Sequence, residues 1–312
     1  MIGTLDAAEA DKRRTRDGLT AALVAYFLWG FFPIYFKIVA AVPPLEVLAH
    51  RIVWAVPFGL AVILLRGQWP DVRAAFADRR KLGLLAIAAA VIAVNWLVYI
   101  FAVQTEHIFQ ASLGYYINPL MYVVIGVVFF RERLRRPQTA AVVLAGAGVA
   151  VLTASGGEFP AIALTLATSF TIYGVIRSRV AIGGMPGLFI ETVVLLPLAA
   201  GYLAWLIGGG TSVFRPEDPG MSATLVLAGP LTVLPLLCFA LAARRLKFST
   251  IGILQFISPT LQFPIGIAYG EPLTLPHVVC FALIWIAVLV FSWDAWRAAQ
   301  SLPRAAALAR GV

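Results

Sequence analysis

The chain has 312 residues, 61% of them hydrophobic and only 12% charged, with a mean hydropathy of +0.90. A soluble domain carries about 25% charged residues, so this composition excludes an ordinary soluble fold and points to a polytopic helical membrane protein. A net charge of +9 would mark a nucleic-acid binder in a soluble chain. Here the positive residues lie between apolar runs, where they set topology, and no nucleic-acid partner is expected.

The first 17 residues are polar, with Lys12, Arg13, Arg14 and Arg16, and read as a tail. The apolar run that follows, 18–39, exceeds a signal-peptide core, and Lys37 and Pro43-Pro44 fit a cleavage region poorly. It reads as an uncleaved span. Nine further segments follow at 45–65, 82–103, 111–130, 138–155, 160–176, 186–208, 222–243, 249–270 and 275–296. The segment 160–176, rich in Thr and Ser, carries the weakest signal. Residues from Arg297 form a short second tail.

Charge alternates across these segments. Arg13, Arg14 and Arg16, then Arg79, Arg80 and Lys81, then Arg131, Arg133, Arg135 and Arg136 fall on one side. Arg177, Arg179, Arg244, Arg245, Lys247 and Arg297 continue that side, while the opposite loops hold only Arg215. The bias places both termini in the cytoplasm and requires an even number of spans.

The stretch Ala111 to Leu134 carries Tyr115, Asn118, Pro119 and Tyr122 inside an apolar run. With an offset of 140 the polar trio falls on Gln255, Ser258 and Gln262, and Pro119 falls on Pro259. The spacing i, i+3, i+7 puts each trio on one helix face. An offset of 138 matches Phe32, Ile34 and Tyr35 with Phe170, Ile172 and Tyr173. The nearly constant offset predicts two halves of five spans, 18–155 and 160–296. Five is odd, so the halves have opposite topology, the pattern of secondary transporters with substrate near the midplane. The polar stripes then line a path, or they serve as interhelical hydrogen bonds. Pro119 and Pro259 read as gating hinges or as fixed kinks.

Asn95 and Tyr99, at i, i+4, point to the same cavity, as do Tyr35 and Tyr173. Charged residues within spans are functional candidates. Arg51 lies about 10 Å into the second span at 1.5 Å per residue, with Glu46 and His50 before it. Glu191 occupies the repeat-related position in the seventh span, near the opposite membrane face, so a direct pair with Arg51 is disfavoured. His50, Arg51, Glu191 and Lys37 are the proton-coupling or gating candidates, with local salt bridges to partners such as Glu106 or Arg177 as the alternative. No catalytic or nucleotide-binding motif is present, and His50, His107 and His277 lie in different segments, so neither a metal site nor a cofactor is expected. Cys238 and Cys280, both in apolar runs, read as inert thiols. The fifth span, with Ala145, Gly146, Ala147 and Gly148, suits close packing. It and the tenth are expected to buttress the bundle or to form a homodimer contact.

The stretches AYFLWGFFPIYFK (25–37), LEVLAHRIVW (45–54), NWLVYIFAV (95–103), ASLGYYINPL (111–120), RERLRR (131–136) and GLFIET (187–192) resemble the RarD group of the EamA family, in the drug/metabolite transporter superfamily. The sequence departs from the group's pattern at Phe101, Gln104 and Gln110. The resemblance implies an all-α fold of ten transmembrane helices in two inverted five-helix repeats. It also implies a cavity bounded by the first, third, fourth, sixth, eighth and ninth spans, and export of a small metabolite or drug across a bacterial inner membrane. The expected function is a secondary transporter or facilitator with a small-molecule substrate and the lipid bilayer as partners. The competing classes are a membrane-embedded lipid-modifying enzyme and a non-transporting sensor or scaffold.

Overall fold

A chain crossing lipid satisfies its own backbone polar groups by winding into helices, and the described residues form helices and no strands. The computed structural model describes the backbone of residues 2–130, 134–155, 159–246, 250–251 and 254–309. Side chains are described over 13–294 and at 297, apart from 122–123, 125–126, 128–133, 156–158, 247–249 and 252–253. In chain order the helices are α1 (Ile2–Gly30), α2 (Phe32–Ile38), α3 (Pro44–Leu65), α4 (Trp69–Ala77), α5 (Arg79–Gln104), α6 (Ile108–Phe130) and α7 (Arg136–Ala154). They continue as α8 (Ala161–Ser178), α9 (Gly184–Gly208), α10 (Pro219–Val226), α11 (Ala228–Ala243), α12 (Ile257–Ala268) and α13 (Leu275–Ala309).

Among the described residues, eight helices are long and apolar enough to cross a membrane, α1 with α2 and α10 with α11 each counting as one. Of the two other predicted segments, 111–130 forms the body of α6, and 249–270 is represented in its second half by α12. Large apolar side chains point outward from these helices, among them Ile87, Val94, Leu198, Trp205 and Leu289. In water such a belt would drive aggregation; against lipid tails it is the natural outer face.

Several elements depart from the sequence expectation. The backbone is helical from Ile2, so α1 runs through the predicted polar tail, and α13 likewise continues past Arg297. The first span is broken at Phe31 rather than continuous. Pro33 has no N–H for the carbonyl of Trp29, four residues back, and its ring disfavours a straight helix. The eighth span breaks at Leu227, three residues before Pro230, for the same reason. Between the predicted spans 45–65 and 82–103 the structure places α4, which buries Val72 and Ala75 against α5 and α9.

Helix ends are capped by carboxylates. Asp78 Oδ1 accepts from the backbone N–H groups of Arg80 and Lys81, each at 3.1 Å, and starts α5. The N–H groups of Lys81 and Arg80 hold its carboxyl below the ordinary carboxylate range. Glu271, in the loop before α13, accepts from the N–H of Ile108 and from that of Phe109 at 2.8 Å. It thereby satisfies two donors at the start of α6. Burial pushes the Glu271 carboxyl up, and the Phe109 and Ile108 N–H groups oppose that shift.

The helices pair in a regular way. The pair α3 and α9, the pair α6 and α12, and the pair α7 and α13 each pack on one another. In addition α1 packs on α11 and α12, while α8 packs on α5 and α6. The α6–α8 crossing is close: a Cβ on Gly114 would lie 2.8 Å from the carbonyl oxygen of Ala163. The central core joins α2, α3, α5 and α9 through Phe36, Ile52, Ile100, Leu188 and Leu203. A second core joins α6, α7 and α13 through Tyr116, Ala145, Phe281 and Ile284. Helices α7 and α13, predicted as the fifth and tenth spans, therefore pack on one another within one chain.

Candidate functional site

The first-half polar residues come together. Asn95, buried on α5, donates from Nδ2 to the carbonyl of Leu166 at 3.0 Å and to Ser169 Oγ at 2.9 Å on α8. The hydroxyl of Tyr115, on α6, donates to Asn95 Oδ1 at 3.3 Å. Asn118 Oδ1 and the hydroxyl of Tyr99 are buried without a hydrogen-bond partner. Native proteins leave few such groups unsatisfied; Glu46, His50, Gln110 and Gln262 each carry another.

These residues lie on a continuous line of rings. Ring centroids are 5.2 Å apart from Tyr35 to Phe36, 5.8 Å from Phe36 to Tyr99 and 5.6 Å from Tyr99 to Tyr115. The line continues at 6.0 Å to Phe170 and 6.1 Å to Tyr173. Each step is within the contact range of aromatic pairs. The ladder crosses from α2 through α5 and α6 to α8, with one buried charge beside its first-half rungs and another at its far end.

Beside the first-half rungs is Arg51 on α3, only 5% exposed. Its Nε donates to Thr232 Oγ1 at 2.8 Å, and its guanidinium carbon sits 4.2 Å from the centroid of the Trp96 ring. The hydroxyls of Tyr115, Tyr35 and Tyr99 are its titratable neighbours. At the α8 end is Glu191 on α9, fully buried. Its Oε2 accepts from the Tyr173 hydroxyl at 3.1 Å, and its Oε1 lies 3.3 Å from Arg177 Nε. Arg177 lies directly over Gly187, where a Cβ would force its guanidinium to shift.

The second stripe behaves differently. Gln255 lies in a turn before α12, not on its face, so the predicted helical trio is broken. Ser258 donates to the carbonyl of Tyr26 at 2.8 Å, and Gln262 Nε2 donates to the carbonyl of Trp29 at 3.2 Å. The Trp29 carbonyl is the one that Pro33 leaves free, so Gln262 repairs a helix break. Ser112 donates to the carbonyl of Pro259 at 2.8 Å, tying that proline to α6. Pro119 lies inside α6. The side chain of Tyr122 lies outside the described residues.

The other charged candidates sit off the ladder. Lys37 is 4.0 Å from Glu106 and 5.6 Å from the Tyr269 ring centroid. His50 Nδ1 accepts from Trp54 Nε1 at 3.3 Å and its ring lies 5.1 Å from that of Phe214. Its neighbour Glu46 accepts from Ser212 Oγ and the Val213 N–H. The sequence reading missed Trp96, Phe36, Phe170 and Thr232. Phe170 carried a signal in the repeat match with Phe32; Thr232 carried none. Among the described residues no group of three or more His, Cys, Asp or Glu is placed to hold a metal ion.

The EamA-like transporter family matches residues 16–154. Protein RarD of Salmonella typhi is 42% identical over 286 residues, covering 91% of this chain and 97% of the relative. A Vibrio cholerae protein described as an uncharacterized transporter is 42% identical over 296 residues, covering 95% and 98%. A solved crystal structure shares the fold with a TM-score of 0.59 at 19% identity, covering 90% of this chain and 99% of that one. The chain is therefore a RarD-like member of the EamA-like transporter family, a multi-pass membrane transporter.

Proposed function

We propose that the protein exports a small metabolite or drug across a bacterial inner membrane by alternating access, with both termini in the cytoplasm. The working unit is two inverted five-helix repeats, residues 18–155 and 160–296, contributing ten spans. The helix pairings support this reading, because exchanging the halves maps them onto themselves. The α3–α9, α6–α12 and α7–α13 pairs each join equivalent spans, α1–α11 exchanges with α5–α8, and α1–α12 exchanges with α6–α8. The family match, residues 16–154, coincides with the first half.

The observation that carries the function is the ring ladder from Tyr35 to Tyr173, with Arg51 beside its first-half rungs and Glu191 at its far end. It runs between the halves, where inverted-repeat transporters hold substrate. Tyr35, Tyr99, Tyr115, Asn118, Asn95 and Tyr173 line the path. Ser258 and Gln262 hold its wall by closing carbonyls of α1. Glu191, with Arg177 and Tyr173, is the carboxylate placed to carry a proton or to gate the cytoplasmic end. The direct test is flux of a metabolite panel into proteoliposomes. Saturable flux that falls in Asn118→Ala and Tyr115→Ala supports the reading. Flux equal to that of empty liposomes for every compound, in protein shown to be folded, contradicts it.

A further inference from the structure

Arg51 is buried, charged and without a carboxylate. Its guanidinium keeps its proton at any working pH. Among the described residues no acidic group lies within 4.0 Å of it, whereas Lys37, His50, Arg135 and Arg177 each have one. A lone charge at this depth is costly. Stacking on Trp96 at 4.2 Å and on Phe32 at 5.6 Å offsets part of that cost. Thr232 takes only the Nε hydrogen, and its own hydroxyl donates to the Ala228 carbonyl at 2.8 Å, which fixes the lone pair it offers to Arg51.

The guanidinium borders a narrow gap of about 10 Å³, lined also by Phe32, Tyr35, Phe36 and Leu231. That is about the room of one water, so a ligand reaches the guanidinium only as the transport cycle parts these walls. Aromatic and aliphatic walls around one fixed cation, with no protein anion, describe a receptor for an anion carried on an apolar body. The planar fork of arginine matches the two oxygens of a carboxylate.

We propose that Arg51 is the anion-binding group of the transport path, and that the substrate is a small aryl or alkyl carboxylate held with its apolar body against Phe32, Phe36 and Leu231. The proposal rests on the transport reading and names its substrate class. The ladder then leads the apolar body from Arg51 towards Tyr173. At the far end Arg177 is already paired with Glu191, so the carboxylate meets no free cation that would trap it there.

The test is thermal melting of the full chain in phosphatidylcholine nanodiscs, with benzoate or benzamide at equal concentration and matched ionic strength. Benzoate is expected to raise the melting temperature in a saturable way and benzamide to leave it unchanged. Arg51→Lys should weaken benzoate binding about tenfold, as the loss of one charge-assisted hydrogen bond, and Arg51→Gln should abolish it. Equal shifts from the two probes, or no shift from benzoate in the unaltered protein, overturn the proposal. If Arg51→Gln does not fold, Thr232→Val supplies the second variant. It removes the group that orients Arg51 and should weaken benzoate binding severalfold without creating benzamide binding; unchanged benzoate binding there counts against the site. Loss of the benzoate effect in discs containing phosphatidylglycerol assigns the site to a lipid headgroup instead and overturns the metabolite reading. Failure of transport is separately visible. Benzoate binding without any flux keeps the site and removes transport, whereas flux of neutral and anionic compounds alike, unchanged in Arg51→Lys, keeps transport and removes the site.

Discussion

Arg51 and Glu191 occupy equivalent places in the two halves of the sequence, yet the fold treats them in opposite ways. Glu191 is answered within the protein by Arg177 at 3.3 Å and the Tyr173 hydroxyl at 3.1 Å. Arg51 is answered by a neutral hydroxyl and two ring faces. On the proposed two-repeat reading, one of these equivalent positions carries a charge that the protein neutralises and the other a charge left for a ligand. The two positions therefore predict different consequences for stability and for function.

The largest contrast is between the two arginines. Arg177→Met should destabilise the protein by about 3 kcal/mol, because it strands the buried Glu191 carboxylate. Adding Glu191→Gln should restore most of that loss, as measured by thermal or SDS unfolding in detergent. Arg51→Met removes an uncompensated charge and should change stability by less than about 1 kcal/mol while abolishing flux of carboxylates. A loss from Arg51→Met as large as that from Arg177→Met would place Arg51 in a structural role and erase the contrast.

Gly187→Ala sharpens the same comparison from the backbone side. The new methyl would displace the Arg177 guanidinium and should cost about 1–3 kcal/mol, as overpacking does. A smaller effect separates the two polar stripes. Gln262→Leu leaves the Trp29 carbonyl open and should cost about 1 kcal/mol. Tyr115→Phe removes one interhelical hydrogen bond and should cost only about 0.6 kcal/mol, yet it should reduce flux more than Gln262→Leu does. The reverse ranking in flux would move the path from the ladder to the α1–α12 contact.

The smallest expected effect lies at Asp78, outside the membrane. Its carboxyl sits below the ordinary range because the Lys81 and Arg80 N–H groups stabilise the charged form. The capping contribution is thus present above the ordinary carboxylate pKa and fades as pH falls through the depressed one. Asp78→Asn should remove this acid-side fading and leave the melting temperature at neutral pH slightly lower. A melting profile in acid identical to that of the unaltered protein would show that the cap contributes nothing.

Much of this architecture was legible in the sequence because lipid imposes one rule, a helix per apolar run. Asn95 and Tyr115 stood out in the sequence as polar residues within apolar runs, and a hydrogen bond joins them across α5 and α6. The breaks at Phe31 and Leu227 were harder to see, since Pro33 and Pro230 sit inside runs that remain apolar throughout. Helix α4 was hidden by Arg66, Arg73, Arg79 and Arg80, whose charges outweighed the buried pair Val72 and Ala75. Gln255 was misplaced because helical spacing was carried through a turn. The seating of Arg51 on Trp96 and Thr232 joins α3, α5 and α11 across long sequence distances, so no local pattern could reveal it. Gln262 shows the converse: a polar residue that matched a path residue in spacing serves a carbonyl that a distant proline set free.

The central claim is that the ring ladder is a path open in turn to each side of the membrane. Thiol labelling of Tyr115→Cys, in a background of Cys238→Ser and Cys280→Ser, tests it most directly. A membrane-impermeant reagent should reach position 115 from either face of oriented vesicles, and benzoate should slow the reaction from both. Labelling from neither face, in protein shown to be folded, would contradict a transport path at the ladder.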